Sequence, residues 1–230
     1  MKTLTPLEER LGVKFKNQDL LRSAVTHRSY LNEHPEFKLD HNERLEFLGD
    51  AVLELAVTRH LFENYPDPEG ELTNWRASLV NRINLAHIGE RLGIEEHIVM
   101  SKGEAKDANS KARQLIVSNA LEAIIGAIYL DQGMPAVKKF IQDNFLSGLG
   151  EIIAKKLYLD PKSEFQEKAQ SQEGITPNYK ILSSSGPDHD KKFKVGAYLN
   201  NELIASGTGS SKQEAQIEAA RKALAKKDWK

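Results

Sequence analysis

The sequence predicts an all-α domain over residues 1–150, a linker over 151–159 and a small α+β domain of order α-β-β-β-α over 160–230. Three observations carry that reading. Helical patterns follow one another as far as residue 150. Alternating segments of strand type come only afterwards, at 179–184, 193–199 and 203–206. Between the two regimes, Asp160-Pro161 is a helix start placed just after Lys155-Lys156.

Thr5 is the expected N-cap of the first helix, with Pro6 at its first position, Glu8 completing a capping box and Gly12 ending it. A second helix is expected after Asn17, carrying Leu20, Leu21, Ala24 and Val25. Further helices are expected over 42–63, 73–92, 113–130 and 135–145. They are separated by Tyr65-Pro66-Asp67-Pro68-Glu69-Gly70 and by a polar loop over 101–111. In the tail, a helix from Asp160-Pro161, three strands and a helix from Ser211 to about residue 227 form a compact unit with both helices on one sheet face.

A chain of 230 residues that is 40% hydrophobic can fill two cores. With no cysteine, disulfides, thiolate catalysis and Cys-based zinc sites are excluded, so a metal must be held by oxygen or by His. The first ten residues lack the apolar stretch of a signal peptide, and no run is expected to approach a membrane span, so the cytoplasm is the expected location. Net charge is −1, divided as about −3 before Asp160 and +2 from it onward. Composition therefore does not announce a nucleic-acid binder, and any RNA-binding charge must be local.

Glu43, Glu46 and Asp50 are spaced i, i+3 and i+7, which puts three carboxylates in one helical stripe, with Leu45, Leu48, Val52, Leu55 and Ala56 on the opposite side. Like charges so placed repel unless a cation compensates, and a hard ion such as Mg²⁺ suits oxygen-only ligands. Alone, such a stripe is more often a solvated acidic face. A second helix, over 115–130, is apolar nearly all round and is interrupted by Asn119 and Glu122 at i, i+3. A buried carboxylate needs a cation, a strong donor or a raised pKa, so Glu122 is either a metal ligand or a core Glu paired with Arg76, Arg82 or Arg113.

The stretch Asn42-Glu43-Arg44-Leu45-Glu46-Phe47-Leu48-Gly49-Asp50-Ala51-Val52-Leu53 resembles the signature of the ribonuclease III family. Thr26-His27-Arg28-Ser29-Tyr30, Glu69-Gly70-Glu71-Leu72, Arg76-Ala77-Ser78-Leu79-Val80 and the segment from Glu122 to Asp131 resemble further family segments in the same order. The resemblance implies a simple bacterial form with one nuclease domain and one RNA-binding domain. It places the metal-binding positions on Glu46, Asp50, Asn119 and Glu122, with Asp50 and Glu122 catalytic, and sets Glu43 and Glu69 toward the RNA or a second metal. It also implies Mg²⁺, for which Mn²⁺ can substitute, and hydrolysis of double-stranded RNA to 5′-phosphate and 3′-hydroxyl ends with a short 3′ overhang. Ribosomal and messenger RNA precursors are the implied substrates.

Many family members have Asp where this chain has Asn119. Asn can ligate through its amide oxygen or hold a metal-bound water, but it subtracts a charge and cannot act as a base. A noncatalytic RNA-binding protein that keeps the nuclease fold is therefore the rival reading, and retention of Glu46, Asp50 and Glu122 argues against it. The chemistry is in-line attack of water and needs no Ser or His nucleophile, so His27 is expected to serve helix-terminal packing or phosphate contact. Family members act as homodimers, and Phe47, next to the acidic stripe, is the expected interface residue; its alternative is an ordinary core Phe. No membrane and no small-molecule organic cofactor are expected.

The tail from Asp160 to Ala220 resembles a double-stranded-RNA-binding domain, which reads duplex shape over roughly 16 bp. Gln166 and Glu167 on its first helix, His189 in the loop after the first strand, and Lys212 at the start of the last helix are the expected RNA contacts. Lys191, Lys192 and Lys194 add charge nearby. Gln213 and Gln216 stand where such domains are often basic, which predicts modest affinity and a shallow salt dependence.

Overall fold

The structure is a computed structural model that describes residues 3–106, 110–154, 158, 160–187 and 191–229. Its packing divides into two units, Met1–Tyr158 and Leu159–Lys230.

In the first unit, α1 (Thr5–Leu11) is closed by Gly12 as expected, but its N-cap is Leu4 and no side chain caps it. Glu8 turns inward instead of completing a capping box: its Oε1 accepts the Phe15 N–H and the Gln18 amide, each at 2.7 Å. A buried carboxylate is better satisfied by two strong donors than by the chain end it was expected to cap. Asn17 opens α2 (Gln18–Ala24) by accepting the Asp19 N–H at 3.1 Å. A short helix not foreseen from sequence, α3 (Arg28–Glu33), is capped by the His27 ring.

The long α4 (Glu43–Asn64) is followed by α5 (Glu69–Val80) and α6 (Arg82–Arg91), so the single helix expected over 73–92 is two, and it starts earlier. The break is at Asn81, whose backbone is extended and whose side-chain oxygen accepts the Asn84 N–H at 2.9 Å. That local side-chain bond replaces helix continuity. The expected polar loop contains α7 (Lys102–Lys106). The two helices expected over 113–130 and 135–145 are both present, separated at Gly133, whose φ of 76° and ψ of −177° are non-helical; the span that holds them, Ser110–Asn144, is labelled α8. The unit ends with α9 (Leu149–Ala154) and with Tyr158, whose ring lies 6.0 Å from that of Trp75.

Its core is built around α8, whose Leu121, Ile124, Ile125, Ala127 and Ile128 are fully buried against Leu53, Val57 and Leu61 of α4 and Leu21 of α2. Each large side chain so buried contributes roughly 1.5–3 kcal/mol. Contrary to expectation, Lys111–Asn144 is long and apolar enough to cross a membrane, but its most apolar stretch is mostly buried within the fold. Asp131 ties this helix to the start of α2 by accepting the Lys16 and Asn17 N–H groups, both at 2.9 Å.

In the second unit, Asp160 caps α10 (Pro161–Glu173) by accepting the Ser163 N–H at 3.2 Å. The strands β1 (Asn178–Ser185), β2 (Lys192–Leu199) and β3 (Glu202–Gly209) form an antiparallel sheet in that order, and α11 (Lys212–Lys227) closes the unit. Phe165 and Ala169 of α10 share one core with Ala219, Ala220 and Ala223 of α11 and with Ala197, Leu199 and Ile204 of the sheet. Both helices therefore cover one face. The all-α unit followed by an α-β-β-β-α unit is the fold class expected from the sequence.

Candidate active site

Glu43, Glu46 and Asp50 come from the first two turns of α4, and Asn119 and Glu122 come from α8. The two helices cross where neither carries a side chain. A Cβ on Gly49 would lie 1.8 Å from the Glu122 carbonyl oxygen, and one on Gly126 would lie 2.3 Å from the Leu45 carbonyl oxygen. Only glycine allows backbones that close. The residues flanking the crossing consequently share one cleft of about 460 Å³, lined by Glu43, Glu46, Asp50, Asn119 and Glu122, with Arg82 as a cation among them.

The electrostatics follow from that crowding. Glu122 is half-buried, and burial pushes its carboxyl up, with the Asp50 and Glu46 charges adding and Arg82 opposing, to a pKa of about 7. Burial also raises Glu46, as do the charges of Glu43 and Asp50, while a hydrogen bond from Asn119 and the charge of Arg82 offset part of the rise. Asn119 thus presents its amide to Glu46 across the α4–α8 interface. Of the three arginines considered for Glu122, Arg76 donates to Thr58 Oγ1 at 3.0 Å and Arg113 is paired with Glu95. Arg82 alone lines the cleft, and among the described residues Glu122 has no ion pair within 4.0 Å.

The other expected residues divide clearly. Glu43 is exposed at the rim, 3.4 Å from Arg28 Nη1. Glu69 does not line this cleft; it lines another, of about 630 Å³, with Thr58, Phe62 and Arg76. Phe47 is 82% exposed, not a core residue. Leu55, expected on the apolar side of α4, is 57% exposed, because steps of four residues from Phe47 put it on the same outer stripe, which continues to Phe62. His27 Nδ1 accepts the Ser29 N–H at 3.3 Å as the cap of α3, and burial lowers its pKa, in keeping with a helix-terminal role.

Among the described residues, no group of three His, Cys, Asp or Glu side chains stands gathered at metal-holding geometry. Carboxylates that repel one another are expected to stand apart until a cation draws them together. The donor set itself fits a hard divalent ion: three carboxylates and one amide, all offering oxygen, with one carboxyl destabilised as an anion. Two site features escaped the sequence reading. Arg82 was considered only as a partner for Glu122, and the glycine crossing left its trace only as Gly49 and Gly126, one inside each of two expected helices.

In the second unit, Gln166 and Glu167 are exposed on α10, and Lys212 is exposed at the first position of α11. Ser211 caps α11 by accepting the Glu214 N–H at 3.1 Å, while Glu214 accepts the Ser210 N–H at 2.9 Å. Gln216 accepts a hydrogen bond from Lys162 at 2.8 Å. His189 lies outside the described residues.

Comparison with known proteins gives the family of both units. Residues 17–149 match the ribonuclease-III-like family, and residues 161–227 match the double-stranded RNA binding motif. The chain is 42% identical over 221 residues to ribonuclease 3 of Symbiobacterium thermophilum, covering 94% of this chain and 91% of that protein. It is 43% identical over 225 residues to ribonuclease 3 of Campylobacter fetus, covering 97% and 98%. The solved nuclease domain of ribonuclease III from Campylobacter jejuni, studied for flexibility in a region involved in dimer formation, aligns with a TM-score of 0.56 at 40% identity, covering 63% of this chain and 96% of that one. A helical nuclease domain followed by a duplex-binding domain defines an endoribonuclease that acts on double-stranded RNA. The chain belongs to the ribonuclease III family, whose members are generally metal-dependent.

Proposed function

We propose that this endoribonuclease cuts its duplex at the α4–α8 cleft with Mg²⁺ held by Glu46, Asp50, Asn119 and Glu122, and that Mn²⁺ can take its place. The observation that carries the proposal is the convergence beside a glycine crossing of two carboxylates from α4, Glu46 and Asp50, with one carboxylate and one amide from α8, Glu122 and Asn119, in the same cleft. The ion would supply charge neutralisation and a water of lowered pKa. Glu46 and Glu122, anchored in half-buried positions, orient the donor set, and Asp50 completes it from the exposed side. Asn119 contributes an oxygen without a charge and is no base. Glu43, steadied by Arg28 at the rim, is assigned to RNA or a second ion, and Glu69, on its separate surface, to RNA.

In-line attack of water on the phosphorus, opposite the P–O3′ bond, breaks that bond, and the 3′-oxygen leaves and takes up a proton, giving 5′-phosphate and 3′-hydroxyl ends. Two copies, each cutting one strand, would leave the short 3′ overhang. The exposed stripe Phe47, Leu55 and Phe62 supports assembly as a homodimer, since three large apolar side chains on one helix face call for a cover. The unit after the linker grips duplex shape through Gln166, Glu167, His189 and Lys212, and the substrates are ribosomal and messenger RNA precursors in the cytoplasm.

The test is incubation with a long RNA duplex in Mg²⁺ or in chelator, beside Glu122→Ala. Cutting only with Mg²⁺, and at least 100-fold slower in the variant, is expected. Cutting in chelator, or by Glu122→Ala at the native rate, would sink the assignment. Asn119 favours a second reading, duplex binding without cutting; binding with no cleavage in Mg²⁺, restored by Asn119→Asp, would establish it.

A further inference from the structure

The carboxylate cleft contains one residue that neither its donor set nor the packing explains. Arg82 is the first residue of α6, held there by the Asn81 cap, and its side chain lines the cleft beside Glu46, Asp50 and Glu122. Other arginines of this unit are committed: Arg28 to Glu43, Arg76 to Thr58 and Arg113 to Glu95. Arg82 is exposed and, among the described residues, makes no ion pair within 4.0 Å, although its charge opposes the raised pKa of both Glu46 and Glu122. A guanidinium kept at the mouth of an anionic cleft, near the carboxylates but not locked to one, is available to a second anion.

We propose that Arg82 binds a non-bridging oxygen of the phosphodiester being cut, making it a catalytic residue of this cleft. The inference rests on the phosphodiester-hydrolysing reading above. Carboxylates that gather a metal also repel the RNA backbone, and the repulsion grows as negative charge builds on the phosphoryl oxygens during attack. The planar guanidinium offers paired N–H donors that match those oxygens, and it stays charged at every working pH. Its position at the head of a capped helix fixes its root while leaving the side chain free to swing from carboxylate to phosphate. The competing role is that of a mere counter-ion for the carboxylates, and the two roles predict opposite effects at saturating metal.

The experiment compares the full-length protein with Arg82→Gln and Arg82→Lys on an RNA duplex across a Mg²⁺ titration, with Mg²⁺ loading read independently as a thermal shift. Arg82→Gln is expected to lower kcat about 10–100-fold at saturating Mg²⁺, because one stabilising donor at the developing charge is lost. KM should stay within about threefold, the Mg²⁺ thermal shift should persist, and Arg82→Lys should recover part of kcat. A native kcat for Arg82→Gln once Mg²⁺ saturates, or loss of its Mg²⁺ thermal shift, overturns the assignment. Failure of the native protein to cut in Mg²⁺ would instead overturn the underlying reading, whatever the variants do.

Discussion

Gly126→Ala places a methyl carbon 2.3 Å from the Leu45 carbonyl oxygen, where contact at roughly 3.4 Å is tolerated, so α4 and α8 must part by about 1 Å. Neither atom belongs to a flexible side chain that could turn aside. Overfilling of this kind costs about 1–3 kcal/mol, and the better helix propensity of Ala returns about 0.5–1 kcal/mol. A net loss of about 1–2 kcal/mol corresponds to a fall of roughly 3–7 °C in Tm for a unit of this size. The larger effect should be on chemistry. Leu45 precedes Glu46 and Gly126 lies one turn after Glu122, so separation at the crossing spreads the carboxylates by a similar distance, and a displacement of about 1 Å can cost about 100-fold in rate. Calorimetry gives the first number, and single-turnover cleavage of an RNA duplex gives the second. A variant that melts and cuts like the native protein would show that the crossing does not set the site.

Glu122→Gln should stabilise the metal-free protein at pH 8. With a folded pKa of about 7 against an ordinary value of 4.5, the native carboxyl contributes stability below pH 4.5 that is lost as pH rises through 7. After discounting for its half-exposed position, the loss is roughly 1–2 kcal/mol; equal pH profiles of Tm for the two proteins in chelator would contradict it. Phe47→Ala should leave the fold within about 0.5 kcal/mol of native, because its ring is 82% exposed, while shifting sedimentation toward the monomer. An unchanged sedimentation profile would remove Phe47 from the proposed interface. Lys212→Ala should weaken duplex binding and reduce the slope of log affinity against log salt by about one, whereas Gln213→Lys should steepen it by a similar amount. Slopes that do not move would take the start of α11 away from the phosphates.

The sequence disclosed the two units and most of their elements because hydrophobic period and turn chemistry are local. It joined α5 to α6 because nothing between Val80 and Arg82 breaks helical propensity as Gly or Pro would; the break comes from the side chain of Asn81 competing for the backbone. It missed α3 because six residues are too few to show a period. At the site, Glu46, Asp50, Asn119 and Glu122 were legible through their spacing and a family resemblance, and the fold brings them to one cleft. The place of Glu69 on another surface, the exposure of Leu55 and the entry of Arg82 were not legible. Each depends on how one helix is rotated against another, which a pattern along one chain does not encode.

Asn119 and Glu122 sit on the innermost helix, flanked by Ala120, Leu121 and Ala123, all fully buried. Backbone amides in such a position exchange with solvent only when the unit as a whole opens, so this part of the site inherits the slowest motions in the molecule. That arrangement gives its donors a fixed address without a loop to order or a lid to close. It also narrows what evolution can vary, since a change on the buried side of this helix alters packing and reactivity at once, leaving the rim and the duplex-binding unit as the places where specificity can drift.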